Sequence, residues 1–192
     1  GRSMKIIAHR QKDPYREQSL RDHSLRVAKR CALVGKSIGL SALAYLVGLM
    51  HDAGKAGNTF QVYIREEDGS QKKTVNHSSC GARYILEKWQ AAGPVEGLTA
   101  AILAAVVCGH HSGLPDMVAP SGKDVLTHRV FPEKDTGYEE AIECFLTECI
   151  PDQEVDSLFR KAVREVEQLL HRLKSACPAI GKRSHEHTQF VL

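Results

Sequence analysis

The residues of this chain best suited to chemistry are His23, the adjacent pair His51-Asp52, His77 and the pair His110-His111, with Lys55 three places after Asp52. An aspartate and several neutral imidazoles are costly to gather in a poorly solvated place. Divalent cations repay that cost by favouring the ionised carboxylate and the deprotonated ring nitrogen. Imidazoles with a carboxylate and no thiolate suit manganese, iron, cobalt, nickel or zinc better than calcium or magnesium. A carboxylate with two oxygens, such as Asp52, could bridge two ions about 3.5 to 4 Å apart, which clamps the attacking and leaving oxygens of a phosphoryl displacement. A bound water with its pKa lowered toward about 7 would then be the nucleophile. Lys55 could neutralise charge on the phosphate or on the pentacoordinate transition state. One or two ions per site are both compatible with this donor set.

Such residues need rigid elements to carry them, and the apolar spacing is helical nearly everywhere. It predicts an all-α domain, a single compact helical bundle with long loops. A first helix is expected over about Gln18 to Ile38, with Leu25, Ala28, Cys31, Ala32 and Val34 inward and Gly39 ending it. Ser41 can cap a second, Ala42 to about Asp52, whose near-continuous apolar character makes it central. Thr59 to Ile64 forms a short helix, Ser78 to Ala92 a third long one, and Val95 to Val107 a fourth, alanine-rich and buried. Two amphipathic helices follow, Tyr138 to Cys149 and Val155 to Ser175, the latter with Val155, Leu158, Phe159, Val166, Leu169, Leu170 and Leu173 at core spacing. The stretches "REEDGSQKKT" and "CGHHSGLPDMVAPSG" read as loops. On this frame His51-Asp52 and His110-His111 each follow an apolar helix and His77 precedes one, so polar groups gather at helix ends with a packed core behind them.

The chain has 192 residues, 42% hydrophobic and 26% charged, with a net charge of +3. That length suits one domain with a substantial core, and no run of eighteen or more apolar residues suggests a membrane span. Residues 1–3, Gly-Arg-Ser, read as an expression scar before a native start at Met4, with no apolar signal segment after it, so a cytoplasmic setting is expected. The six cysteines contain no C-x-x-C pair and read as reduced filler. His9, His128, His171, His185 and His187 are expected at the surface, and Asp116 is expected to shape its loop.

The segments "HSLRVA", "GLMHDAGKAGNTFQVYI", "NHSSCGA" and "GHHSGLPD" resemble, in order and approximate spacing, the HD nuclease domain of the CRISPR-associated nuclease-helicase of type I systems. A histidine, an HD pair and a lysine alone would indicate only an HD-superfamily phosphohydrolase; the "FQ-x-Y" run and the paired histidines before "SGLPD" narrow it. The resemblance implies one metal held by His23, His51 and Asp52 and a second held by Asp52, His77, His110 and His111, with Lys55 as the catalytic or charge-stabilising lysine. It also implies an aspartate from a late helix. The tail "SHEHTQFVL" reads as the start of that helix, so residues 4–192 are expected to be an HD nuclease domain cut short before its last helix. The activity implied is endonucleolytic and 3′-to-5′ degradation of single-stranded DNA. The partners implied are a helicase domain, in the same chain or a separate one, and a CRISPR effector (surveillance) complex.

Lys72, Lys73, Lys123, Arg129 and Lys134 sit in loops that could track phosphates. No P-loop occurs, so ATP-driven unwinding must come from elsewhere. Two other functions compete with the nuclease. One is an HD-family phosphohydrolase of small nucleotides, which needs a closed pocket. The other is a non-catalytic docking module, against which the retention of so many costly polar groups argues.

Overall fold

Ser19 sets the start of the first helix. Its hydroxyl oxygen accepts from the Asp22 amide at 3.1 Å, satisfying one amide otherwise orphaned in the first turn, and its O–H donates to the Asp22 carboxylate at 2.6 Å. The fold is seen in a computed structural model that describes residues 5–11, 16–65, 79–110, 130–131 and 137–177. Its helices are α1 (Leu20–Lys36), α2 (Ser41–Met50), α3 (Asn58–Arg65), α4 (Cys80–Trp89), α5 (Pro94–Gly109), α6 (Tyr138–Glu148) and α7 (Asp152–Ala176). A 3₁₀ turn, Ala53–Ala56, joins α2 to α3, and a hairpin of β1 (Ile7–Gln11) and β2 (Arg16–Ser19) precedes α1. The domain is all-α, as the spacing predicts, with this short antiparallel hairpin as an unforeseen addition.

Helix α2 is central: it packs on α1, α5 and α7. Leu46, Leu49 and Met50 on it are fully buried with Leu103 and Val107 of α5, Phe145 of α6 and Phe159 of α7, each such burial contributing about 1.5–3 kcal/mol. Close backbone approaches fix its position. A Cβ at Gly48 would lie 2.7 Å from the Ala28 Cα of α1, and a Cβ at Gly81 would collide with the Met50 carbonyl at the end of α2. The ring of Trp89 on α4 stacks on Phe159 of α7 at 3.9 Å. Gly39 takes a left-handed φ of 76° and closes the α1 to α2 connection as predicted.

Three local expectations are corrected. Ser41 does not cap α2; it lies inside the helix, and the Glu165 carboxylate of α7 accepts from the amides of Ala42 at 2.8 Å and Leu43 at 2.9 Å. Val34 is 76% exposed, because the inward stripe of α1 runs through Ala28 to Gly35 and adjacent helical residues point about 100° apart. Leu173 is 52% exposed, because all residues from 171 to 177 are exposed and the end of α7 runs past the core. None of the six cysteines is disulfide-linked, and no described helix is long and apolar enough to cross a membrane.

Candidate metal centre

The chain leaves helical geometry at Asp52, whose φ is −112° and ψ 17°. The Lys55 amide then donates to the Asp52 carbonyl at 2.9 Å, which closes the 3₁₀ turn and folds the lysine side chain back over the aspartate. Both side chains are buried, Asp52 at 2% and Lys55 at 7% exposure, and the Lys55 ammonium lies 2.9 Å from Asp52 Oδ2. The HD pair is thus the hinge between a core helix and a buried turn.

Around that carboxylate the structure collects histidines from three directions. His23, in the first turns of α1, places Nε2 3.1 Å from Asp52 Oδ2, and His51 places Nε2 3.0 Å from the same oxygen. His110, at the end of α5, places Nε2 3.6 Å from Oδ1. The Nε2 atoms of His23 and His51 are 3.4 Å apart.

The orientation of two of these rings follows from helix ends. His51 is the C-cap of α2 and His110 the C-cap of α5. In each, Nδ1–H donates to the carbonyl three residues back: His51 to Gly48 at 2.7 Å and His110 to Val107 at 2.6 Å. Since a carbonyl only accepts, the proton sits on Nδ1, and a neutral ring presents a lone pair at Nε2. The same hydrogen bond satisfies a carbonyl that the helix terminus would otherwise leave without a partner. A histidine directly after an apolar helix therefore both finishes the helix and aims a ligating nitrogen beyond it.

This geometry tests whether a metal fits. Lone-pair nitrogens face carboxylate oxygens at about contact distance, and protonating every ring would place imidazolium charges side by side. One divalent cation among the nitrogens and oxygens satisfies them together, and the outer hydrogen bonds to backbone are the kind that orient ligating imidazoles. The donor set of ring nitrogens and carboxylate oxygens fits a first-row transition ion. Burial alone would raise the Asp52 carboxyl, but its close contacts with His110, His23 and His51 outweigh it and hold the group well below the usual carboxylate range. It is an anion ready to bind cations.

Of the residues singled out from sequence, His23, His51, Asp52, Lys55 and His110 come together. His77 and His111 lie outside the described residues, as do Asp116, His128, His185, His187 and the loop residues Lys72, Lys73, Lys123, Arg129 and Lys134. His171 is exposed, as expected. His9 is exposed, as expected, and its ring meets that of His23 edge-on with centroids 4.6 Å apart. Ligand atoms of His9, His23 and Asp52 all lie within 4.8 Å of one another. Partial burial and then the Lys55 charge lower the His9 pKa, so its ring is neutral at neutral pH. The signal for His9 was the hairpin: "IIAHR" followed by Asp13-Pro14 is a strand-then-turn pattern too short for periodicity to detect.

Comparisons with known proteins identify the family. A family model described as "Cas3, HD domain" matches residues 11–191. A protein of Haloferax volcanii named "CRISPR-associated nuclease/helicase Cas3" is 41% identical over 70 residues, a stretch covering 35% of this chain and 7% of that protein.

Proposed function

The chain belongs to the family of Cas3 HD domains, and from that premise we propose that it is a metal-dependent nuclease of CRISPR antiviral defence. It hydrolyses phosphodiester bonds in single-stranded DNA, cutting internally and degrading 3′ to 5′. The observation that carries this reading is the pair of C-cap histidines, His51 and His110, whose outer nitrogens are spent on backbone carbonyls while their inner nitrogens face one ionised aspartate.

In this reading His23, His51 and Asp52 hold one ion, and Asp52, His77, His110 and His111 hold a second. Manganese, iron, cobalt, nickel or zinc suit those donors. When bound, the ions supply Lewis acidity toward the scissile phosphate and activation of the attacking water. The chain's own contribution is position and charge. The packed ends of α2 and α5 fix the ligands, and Lys55, anchored on Asp52, sets a positive charge where phosphate oxygens would gather. The sequence has no P-loop, so the proposed unwinding partner is a helicase domain in the same or a separate chain, and recruitment by a CRISPR effector complex places the enzyme in the cytoplasm.

The test is a purified-protein assay on circular single-stranded DNA with manganese, nickel or cobalt. Release of oligonucleotides from the circle supports the proposal, because a circle has no end for an exonuclease to enter. Linear DNA blocked at its 3′ end should then resist stepwise degradation while DNA blocked at its 5′ end does not. Turnover of mononucleotides with an intact circle would overturn the nuclease in favour of a nucleotide phosphohydrolase.

A further inference from the structure

His9 stands ahead of the residues that the family model matches, 11–191, yet it lies against the centre described above. We propose that His9 is a further metal ligand, closing from the hairpin side the ion site formed by His23 and Asp52; this rests on the metal-centre reading.

The distances support ligation. Two ligands on one ion at bonds of about 2.0 to 2.2 Å stand about 3 to 3.5 Å apart. The donor atoms of His9, His23 and Asp52 lie within 4.8 Å of one another without an ion, a gap that small side-chain rotations close. The three come from separate elements, strand β1, the first turns of α1 and the end of α2, so they approach one point from different sides rather than lining a single face. His51 is already beside Asp52 and His110 faces its other oxygen, so His9 brings the imidazoles around the carboxylate to four.

The backbone that carries His9 is held in place. The hairpin register is broken between Ile7, paired with Ser19, and His9, paired with Gln18. A bulge of this kind adds a residue and re-aims the side chains that follow. Its effect is visible in the burial: Ile7 and Ala8 are both 1% exposed, where a regular strand would send one of them outward, and His9 comes next with its ring against His23. Buried Gln61 then staples this strand to the catalytic turn. Its Oε1 accepts from the Ile7 amide at 3.0 Å, and its Nε2 donates to the Ile7 carbonyl at 2.8 Å and to the Lys55 carbonyl at 2.7 Å. The Leu20 amide donates to the Ile6 carbonyl at 2.9 Å, tying the same strand to the start of α1. His9 is therefore fixed relative to both His23 and Asp52. A surface histidine with no task would gain nothing from a strand pinned to both sides of a metal site, and the exposure of His9 suits a ligand on the solvent side of that site.

The experiment is titration of the whole chain, stripped of metal, with cobalt(II), followed by the visible absorption of the bound ion, for the parent, His9→Ala, His9→Gln and Asp52→Ala. Circular dichroism of the metal-free proteins checks folding. The expected result is that His9→Ala and His9→Gln weaken binding of one ion on the order of 10- to 100-fold or more and shift its absorption band, as loss of a nitrogen ligand requires. Unchanged affinity and spectrum in a folded His9 variant would overturn the proposal. If His9→Ala fails to fold, the His9→Gln titration decides alone, since Gln keeps a polar side chain at the hairpin. Asp52→Ala separates the two readings: if it binds cobalt as the parent does, the metal centre itself fails, whereas loss of binding there with no effect at His9 removes only the ligand assigned here.

Discussion

Two lysine and aspartate pairs in this molecule look alike at the level of contact. Lys55 lies 2.9 Å from Asp52; Lys88 lies 2.7 Å from Asp152 and 2.5 Å from Asp156. Both ammonium groups also sit near aromatic faces, Lys55 at 5.6 Å from the Phe60 centroid and Lys88 at 5.1 Å from that of Trp89. Their surroundings differ. Asp52 is buried and ringed by His23, His51 and His110, while the Asp152 side chain is half exposed and its other neighbour is the Tyr84 hydroxyl. Contact distance alone does not separate a site from a surface ion pair. Burial does, because taking charge out of water is tolerable only where other groups or ions balance it, and the imidazoles show which kind of ion would do so.

The strongest way to break this comparison is Asp52→Ala. If Asp52 is the shared anion of a metal centre, cleavage of single-stranded DNA should fall on the order of a thousandfold or more, the several kcal/mol of charge stabilisation that a metal supplies. The helical circular dichroism signal should persist. Variant cleavage within tenfold of the parent, at saturating manganese, would put the Asp52 cluster in the same class as the Lys88 one.

Much of this comparison was legible in the sequence, and the exceptions share a cause. The HD pair after an apolar run, and the same pattern at His110, can be read directly because a helix end leaves carbonyls to satisfy and the next side chain is placed to do it. The central position of α2 follows from having almost no polar face. What periodicity cannot supply is where a stripe stops meeting a partner, which is why Val34 and Leu173 were placed inward. Nor can it register a five-residue strand and its bulge, and with them went His9. The cap on α2 was missed for a related reason: Glu165 lies more than a hundred residues from the amides it accepts from, and no local pattern announces so distant a partner.

Lys55→Met sharpens the comparison by removing the cation and keeping most of the side-chain bulk. If the ammonium stabilises charge on the reacting phosphate, the rate with metal saturating should fall about a hundredfold, the low end of what a removed charge-stabilising donor costs. Metal affinity should change by much less than the rate, because Asp52 and the histidines remain. A rate equal to that of the parent would reduce Lys55 to a structural partner of Asp52 and leave the turn with no role in the chemistry.

Lys88→Met should have the smallest effect, and its size tests the other half of the comparison. Removing Lys88 strands Asp152 and Asp156, but the Asp152 side chain is half exposed and that of Asp156 about a third exposed, the Tyr84 hydroxyl still donates to Asp152, and Asp152 sits in the first turn of α7, where the helix dipole favours an anion. Exposed ion pairs contribute about 0 to 1 kcal/mol, so thermal melting should shift down by no more than about 4 °C for a domain of this size. Cleavage and cobalt affinity should be unchanged. The pH dependence has a fixed sign: hydrogen bonds from Lys88 and then Tyr84 lower the Asp152 carboxyl, so the pair's contribution is full above the ordinary carboxylate pKa of about 4 and is lost as pH falls through the depressed folded-state value. The difference in melting between parent and Lys88→Met should therefore narrow under acid. A loss of several kcal/mol at neutral pH would mean that the stacked Trp89 and Phe159 rings beside the cluster transmit its loss into the core, and exposure would no longer explain why one lysine and aspartate pair matters more than the other.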